Sequence, residues 1–170
     1  MPKSLLPDVV RACVVAGSTD THYLRAGRGE PILVLAGNPD TTHALLELLP
    51  RGFRVMAPEA TPPGGAGAAP TLDFTAWIRD FLDALGIAGV AMIVDPSFAA
   101  PALGFALLEP DRVKGLVFLL YQSGDGAIDE GSISDRFGQS GQPLLAIRFD
   151  PTDPDSLPAR IAEIVAFLEG

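Results

Sequence analysis

Residues Val90 to Phe105 read VAMIVDPSFAAPALGF, and this stretch decides the fold. A short apolar run rich in branched residues stops at Asp95-Pro96-Ser97, and small apolar residues follow. Such a run, bounded by a turn signal, is typical of a strand that is buried on both faces and leads directly into a helix. In open α/β sheets, ligands bind at corners of this kind, outside the carboxyl ends of the strands.

Four further apolar runs predict strands of the same kind, at Pro31–Leu35, Phe53–Ala57, Val113–Leu120 and Leu144–Phe149. Between them, apolar residues at helical spacing predict three more helices, which run from about Thr41 to Leu49, from an N-cap at Thr71 to Gly86, and over Ile161 to Leu168. Strands that alternate with helices indicate right-handed βαβ units. The sequence therefore predicts an α/β fold, a three-layer sandwich with a mostly parallel central sheet.

The start of the chain has a different pattern. Arg11–Gly17 and Thr21–Gly27 resemble two short strands joined in a hairpin at Gly17 to Asp20, which would add antiparallel strands at one edge of the sheet. Two Gly-rich or polar segments, Thr61–Pro70 and Ser123–Gln142, show no period and are predicted to be loops. No repeat or linker divides residues 1–170, so we expect a single domain.

Composition argues against several classes of function. The formal net charge of -9 opposes binding to nucleic acid. Cys13 is the only cysteine, and no spacing of His, Cys and carboxylate residues suggests a metal site, so neither a metal nor a cofactor is expected. No apolar run reaches the ~20 residues that cross a bilayer, and the N-terminus lacks the apolar core of a signal peptide. We therefore expect no membrane partner and a cytoplasmic location.

Several stretches resemble, in order, the landmarks of the α/β-hydrolases, in the branch of haloalkane dehalogenases, epoxide hydrolases and related esterases. THYLRAGRGEPILVLAGNP resembles their second and third strands, FRVMAPEATPPGGAG the fourth strand, and FTAWIRDFLDALGI the helix before the nucleophile strand. EPDRVKGLVFL is similar to the sixth strand and LPARIAEIVAFLEG to the last helix. The resemblance implies a minimal α/β-hydrolase fold that lacks the cap domain, with the final strand equivalent to the family's seventh or eighth.

The oxyanion and nucleophile positions depart from the family's pattern. Ala36 replaces the family's oxyanion His. Gly37-Asn38 then follows as in haloalkane dehalogenases, where the Asn helps hold halide. The alternative is that Asn38-Pro39 is a simple turn. Pro96 occupies the nucleophile position of the G-x-S-x-G elbow, yet it carries no nucleophile. A shift of one residue makes Ser97 the nucleophile, unless it is a helix N-cap.

The remaining candidates for chemistry are carboxylates. Asp95 is either an unusual carboxylate nucleophile or a cap of the following helix. Asp153 resembles the family's catalytic acid, one residue out of register, and otherwise belongs to a turn with Asx caps. The chain has two histidines, His22 and His43, and neither matches the family's catalytic His. Compared with the pattern of the family that the chain resembles, a helix, a strand and the His loop are missing between Asp153 and the C-terminal helix.

The sequence thus favours a degenerate α/β-hydrolase-fold protein without hydrolytic activity, acting as a small-molecule binder or an interaction module. The alternative is an atypical hydrolase that uses Ser97 or Asp95. The expected site for a small apolar ligand consists of Gly37, Asn38, Pro96, Ser97 and Phe98.

Two structural expectations follow from this interpretation. Loss of the cap should leave apolar surface and a sheet edge uncovered, which predicts a homodimer. Because proline cannot adopt a positive φ, Asp95 to Ser97 is predicted to form an unstrained turn, with the Ser97 hydroxyl directed to a backbone N–H.

Overall fold

The computed structural model describes residues 9–17, 19–36, 39–48, 52–59, 74–95, 98–121, 143–150, 153 and 155–169. Its strands are β1 (Val10–Ala16), β2 (Thr19–Ala26), β3 (Glu30–Leu35), β4 (Phe53–Pro58), β5 (Val90–Val94), β6 (Val113–Tyr121) and β7 (Leu144–Phe149). Its α-helices are α1 (Pro39–Leu48), α2 (Phe74–Ala84), α3 (Ala99–Leu108) and α4 (Ser156–Glu169), with a 3₁₀ turn at Pro110–Arg112. The predicted loops at 61–70 and 123–142, and the predicted N-cap Thr71, lie outside the described residues.

The described strands form one sheet in the order β1-β2-β4-β3-β5-β6-β7. β2 runs antiparallel to both of its neighbours, and β4, β3, β5, β6 and β7 are all parallel to one another. β5 lies inside the sheet between β3 and β6, and the early hairpin lies at one edge. The predicted sheet is therefore confirmed, including the position of its central strand.

Both faces of the sheet are covered because successive side chains of the central strand enter opposite layers. Met92 and Val94 belong to the apolar cluster with α2 and α3, whereas Ile93 belongs to the cluster with α1 and α4. The main helical contributors to the first cluster are Trp77, Ile78, Phe81, Leu82, Ala102 and Phe105, and those to the second are Leu45, Leu46, Leu157 and Ile164. The three-layer sandwich follows from these two clusters.

Among the boundaries that differ from the prediction, the hairpin turn and the start of α1 have a clear local reason. The hairpin is tighter, because Ala16 already pairs with Thr19 and Gly17 adopts a φ of +64°, which glycine tolerates at little cost. Thr19 and Asp20 therefore belong to β2 and not to the turn. Helix α1 begins at Pro39, earlier than predicted, since the fixed φ of proline suits the first turn of a helix and its missing N–H is not needed there.

The hairpin is fastened to α2 by a polar contact inside an apolar layer. The indole N–H of Trp77 donates a hydrogen bond of 3.2 Å to the Thr21 hydroxyl, and both residues are buried. Phe81 stacks on Trp77 and meets Tyr23 of β2 edge to face. No helix in the described part of the chain is both long and apolar enough to cross a membrane.

Candidate functional site

The predicted strand-to-helix corner lies at the carboxyl edge of the parallel strands. The Asp95 backbone N–H donates a hydrogen bond of 3.0 Å to the carbonyl of Leu35, so the ends of β3 and β5 are joined side by side. The Phe98 N–H then donates to the Asp95 carbonyl at 3.1 Å, which turns the chain into α3. Asp95 is 1% exposed, and it is the one acidic residue among the buried residues of the described structure.

The backbone at this corner shows no strain at Asp95. Among the described residues, no residue other than glycine has a positive φ. A nucleophile elbow depends on a strained residue, and Asp95 does not supply one. Pro96 and Ser97 lie outside the described residues, and so does the predicted hydrogen bond of the Ser97 hydroxyl. The same is true of Gly37 and Asn38.

Phe98 was expected to contribute to a ligand site, and the structure places it in the core. Its side chain is 1% exposed and belongs to the cluster beneath α2 and α3. Phe98 is also the residue at the N-cap position of α3, without a side-chain capping bond. Burial at this position anchors the start of the helix.

Both histidines are exposed, and His22 lies far from the buried carboxylate. His22 belongs to β2, is exposed, and accepts the Glu59 N–H through its carbonyl at 2.8 Å. β4 and β3 lie between β2 and β5, a separation of three strand spacings, or about 14 Å. His43 is exposed on α1. Both imidazoles therefore face solvent, while Asp95 is enclosed.

Asp153 is exposed and interacts with the start of the last helix. Its Oδ1 accepts the backbone N–H of Asp155 at 2.9 Å, and its carbonyl accepts the N–H of Ser156 at 3.1 Å. The Ser156 hydroxyl in turn accepts the N–H of Asp150 at 2.8 Å. This arrangement is that of a turn with an Asx cap leading into α4.

A cavity of about 780 Å³ lies at the opposite, amino-terminal edge of the parallel strands. Its lining residues come from the beginnings of the strands and the end of α4: Glu30, Pro31, Ile32, Gly52, Phe53, Ala91, Lys114, Gly115, Pro143, Ala166, Phe167, Leu168 and Glu169. The sequence signal for this cavity is Gly115, a glycine within the mostly apolar strand β6. A Cβ at Gly115 would lie 3.2 Å from the ring of Phe167, so glycine allows that ring to approach the sheet.

Ion pairs lie at the rim of the cavity and on the β1 side of the sheet. Lys114 forms an ion pair of 2.8 Å with Glu30 at the rim of the cavity. On the β1 side of the sheet, Arg11 donates two hydrogen bonds to the Glu59 carboxylate, which hold the pKa of Glu59 below its ordinary value and raise the pKa of Arg11. No group of three potential metal ligands occurs among the described residues.

The strand order, the antiparallel second strand and the helices on both faces define an α/β-hydrolase fold. No protein-family model matches the chain. Over 66% of this chain and 43% of the other, the structure is similar to naproxen esterase from Bacillus subtilis, with a TM-score of 0.57 and 20% sequence identity.

The curated relatives are hydrolases as well. The chain is 29% identical over 122 residues to 2-hydroxy-6-oxo-6-(2'-aminophenyl)hexa-2,4-dienoic acid hydrolase of Metapseudomonas resinovorans. These aligned residues cover 65% of this chain and 42% of the relative. It is 32% identical over 106 residues to a haloalkane dehalogenase of Mesorhizobium japonicum, covering 57% of this chain and 34% of the relative. Epoxide hydrolases are also among the relatives. The chain thus spans less than half the length of these curated relatives.

Proposed function

We propose that this α/β-hydrolase-fold chain binds a small, uncharged apolar molecule and does not hydrolyse it. The observation that carries the proposal is the placement of the chain's two imidazoles. His22 and His43 are exposed, whereas Asp95 at the nucleophile corner is enclosed. Acyl transfer by a serine needs a base within about 3 Å of its hydroxyl. If a carboxylate is the nucleophile, hydrolysis of the ester that it forms with the substrate needs a group that activates water.

The cavity at the amino-terminal edge supports the binding half of the proposal. Its volume of about 780 Å³ falls within the range of about 300–1,000 Å³ that small-molecule sites occupy. Ile32, Phe53 and Phe167 supply apolar walls. The Lys114 charge at the rim is paired with Glu30, and Glu169 adds a further negative charge, which favours a neutral ligand over an anion.

The test of binding compares a neutral and an anionic dye that both fluoresce in apolar surroundings, Nile red and 8-anilinonaphthalene-1-sulfonate. We expect saturable binding of Nile red that is tighter than binding of the sulfonate. Ala91→Leu adds side-chain volume to the lining of the cavity and should weaken Nile red binding, whereas Ser97→Ala at the corner is the control and should not. Weaker binding only in Ser97→Ala would place the ligand at the corner on the carboxyl edge of the parallel strands. No saturable binding in any variant would refute the proposal that the chain binds an apolar molecule.

The test of the missing chemistry uses an activated ester, an epoxide and a haloalkane as substrates. We expect the wild type, Ser97→Ala and Asp95→Asn all to turn over these compounds at the rate of buffer. A wild-type rate well above buffer that either substitution abolishes would overturn the non-hydrolytic proposal.

A second candidate function is an atypical hydrolase with Asp95 as nucleophile. It is favoured by one observation, the buried carboxylate at the end of β5 in a chain whose relatives include epoxide hydrolases and a haloalkane dehalogenase. Activity lost in Asp95→Asn but kept in Ser97→Ala would establish it.

A further inference from the structure

Strand β1 forms one edge of the sheet, and it exposes apolar side chains to solvent. Val10 and Val15 of the strand are 43% and 56% exposed, Val9 just before it is 40% exposed, and these are three of the five exposed large hydrophobic residues in the described structure. Edge strands usually carry lysine, proline or a bulge that discourages pairing with another chain. β1 reads VRACVVA, pairs with β2 without any irregularity, and contains neither lysine nor proline.

The register of the hairpin determines which backbone groups face outward. Ala16 pairs with Thr19 across a two-residue turn, so this pair exchanges hydrogen bonds within the hairpin. Because hydrogen-bonded positions alternate along an antiparallel strand, Ala12 and Val14 also direct their backbone groups to β2. Arg11, Cys13 and Val15 therefore direct both N–H and C=O away from the sheet.

We propose that β1 pairs with β1 of a second copy of this chain, antiparallel and centred on Cys13, so that two sheets become one. Cys13 is the middle residue of the strand Val10–Ala16. A two-fold axis at this position places Cys13 opposite Cys13 of the second copy and Arg11 opposite Val15. The outward backbone groups of Arg11, Cys13 and Val15 then form six hydrogen bonds.

Side chains along β1 are compatible with this pairing. Arg11 is the only charged residue of the strand, and the two-fold axis places it opposite an uncharged Val15, so no like charges meet. The Arg11 guanidinium contacts Glu59 at the end of β4, beyond β2, so its charge is already paired on the side away from the second copy. Val14 and Ala16 remain in the layer beneath α2, so pairing does not disturb the core.

Cys13 reports the register of the pair. Its side chain is exposed and not in a disulfide. Opposite residues of a hydrogen-bonded antiparallel pair have Cα atoms about 5.5 Å apart, within the range of about 4.4–6.8 Å that a disulfide spans. Oxygen with copper-phenanthroline as catalyst should remove two protons and two electrons from the two thiols and link the copies covalently.

The experiment combines sedimentation equilibrium with this crosslinking. We expect the wild type to associate as a dimer with rising concentration and to form a disulfide-linked dimer. Val15→Lys places a lysine on the pairing edge, the residue that natural edge strands use against pairing, and should give a monomer that does not crosslink. Leu108→Lys introduces the same charge at a leucine that is 71% exposed, against 56% for Val15, at the end of α3; it is the matched control and should behave as the wild type.

Both variants change exposed side chains, so far-UV circular dichroism should show that each remains folded. A monomer at every concentration in the wild type would overturn the proposal. So would a dimer that Leu108→Lys dissociates and Val15→Lys does not, because that result places the interface at α3. A dimer sensitive to Val15→Lys that fails to crosslink through Cys13 would refute the proposed register.

Discussion

The hydrogen bond between Trp77 and Thr21 gives the sharpest test of how the edge hairpin is held. The two residues lie 56 positions apart, and both are almost inaccessible to solvent. Thr21→Val keeps the shape of the side chain but removes the acceptor, which leaves the indole N–H of Trp77 without this partner. Removal of one partner of a buried hydrogen bond costs about 1–3 kcal/mol. In a domain of this size that corresponds to a fall in Tm of about 2–12 °C.

The assay is urea unfolding followed by far-UV circular dichroism, for Thr21→Val, Trp77→Phe and the double variant. If the hydrogen bond is the reason for the loss of stability, Thr21→Val should lower the free energy of unfolding by about 0.5–1.5 kcal/mol less in the Trp77→Phe background than in the wild type. Trp77 is the only tryptophan, so fluorescence cannot follow all variants and circular dichroism serves instead. An equal cost of Thr21→Val in both backgrounds would refute the reasoning.

Two further predictions concern glycines and pH. Gly29→Ala places a Cβ 2.3 Å from the Gly52 carbonyl at a φ of +122°, whereas Gly52→Ala meets open space at a φ of +88°. Thermal unfolding should show that Gly52→Ala lowers the free energy of unfolding by about 1–2 kcal/mol, from the left-handed backbone alone. Gly29→Ala should lower it more. The reverse order would contradict this account. Because Arg11 lowers the folded-state pKa of Glu59, the ion pair stabilises the fold above the unfolded pKa of about 4.3 and is lost as pH falls through the folded value. Wild type should therefore exceed Glu59→Gln slightly in Tm at pH 7, and the difference should vanish in acid; a difference that grows in acid would have the wrong sign.

Most of the fold could be predicted because its strands are short branched runs bounded by turn residues. Val90–Val94 and Leu144–Phe149 have the predicted bounds, and the other three buried strands differ by one residue at an end. A strand buried on both faces needs apolar residues throughout, so the pattern leaves little freedom. The resemblance to α/β-hydrolases added the particular fold, which local pattern cannot supply because it depends on crossover connections.

The candidate site was less accessible to sequence reasoning. The turn chemistry of Asp95-Pro96-Ser97 located the corner correctly, yet Phe98 is a core residue, and nothing in its type distinguishes a core aromatic from one that lines a ligand site. The cavity at the other edge is formed by residues from four strands, by Gly52 and Pro143 just before two strands, and by the end of α4, and its lining has no common motif. Only Gly115 gave a local signal, and its meaning depends on Phe167, which lies far away in sequence.

The most direct test of the non-hydrolytic account is the intact mass of the protein after incubation with a fluorophosphonate or with a simple epoxide. An activated serine would displace fluoride and gain one phosphonyl group, and a nucleophilic carboxylate would open the epoxide and gain one hydroxyalkyl ester. The account predicts an unchanged mass with both reagents in a Cys13→Ser background, which removes the exposed thiol that an epoxide would alkylate. A single addition that disappears in Ser97→Ala or in Asp95→Asn would contradict it and would identify the nucleophile.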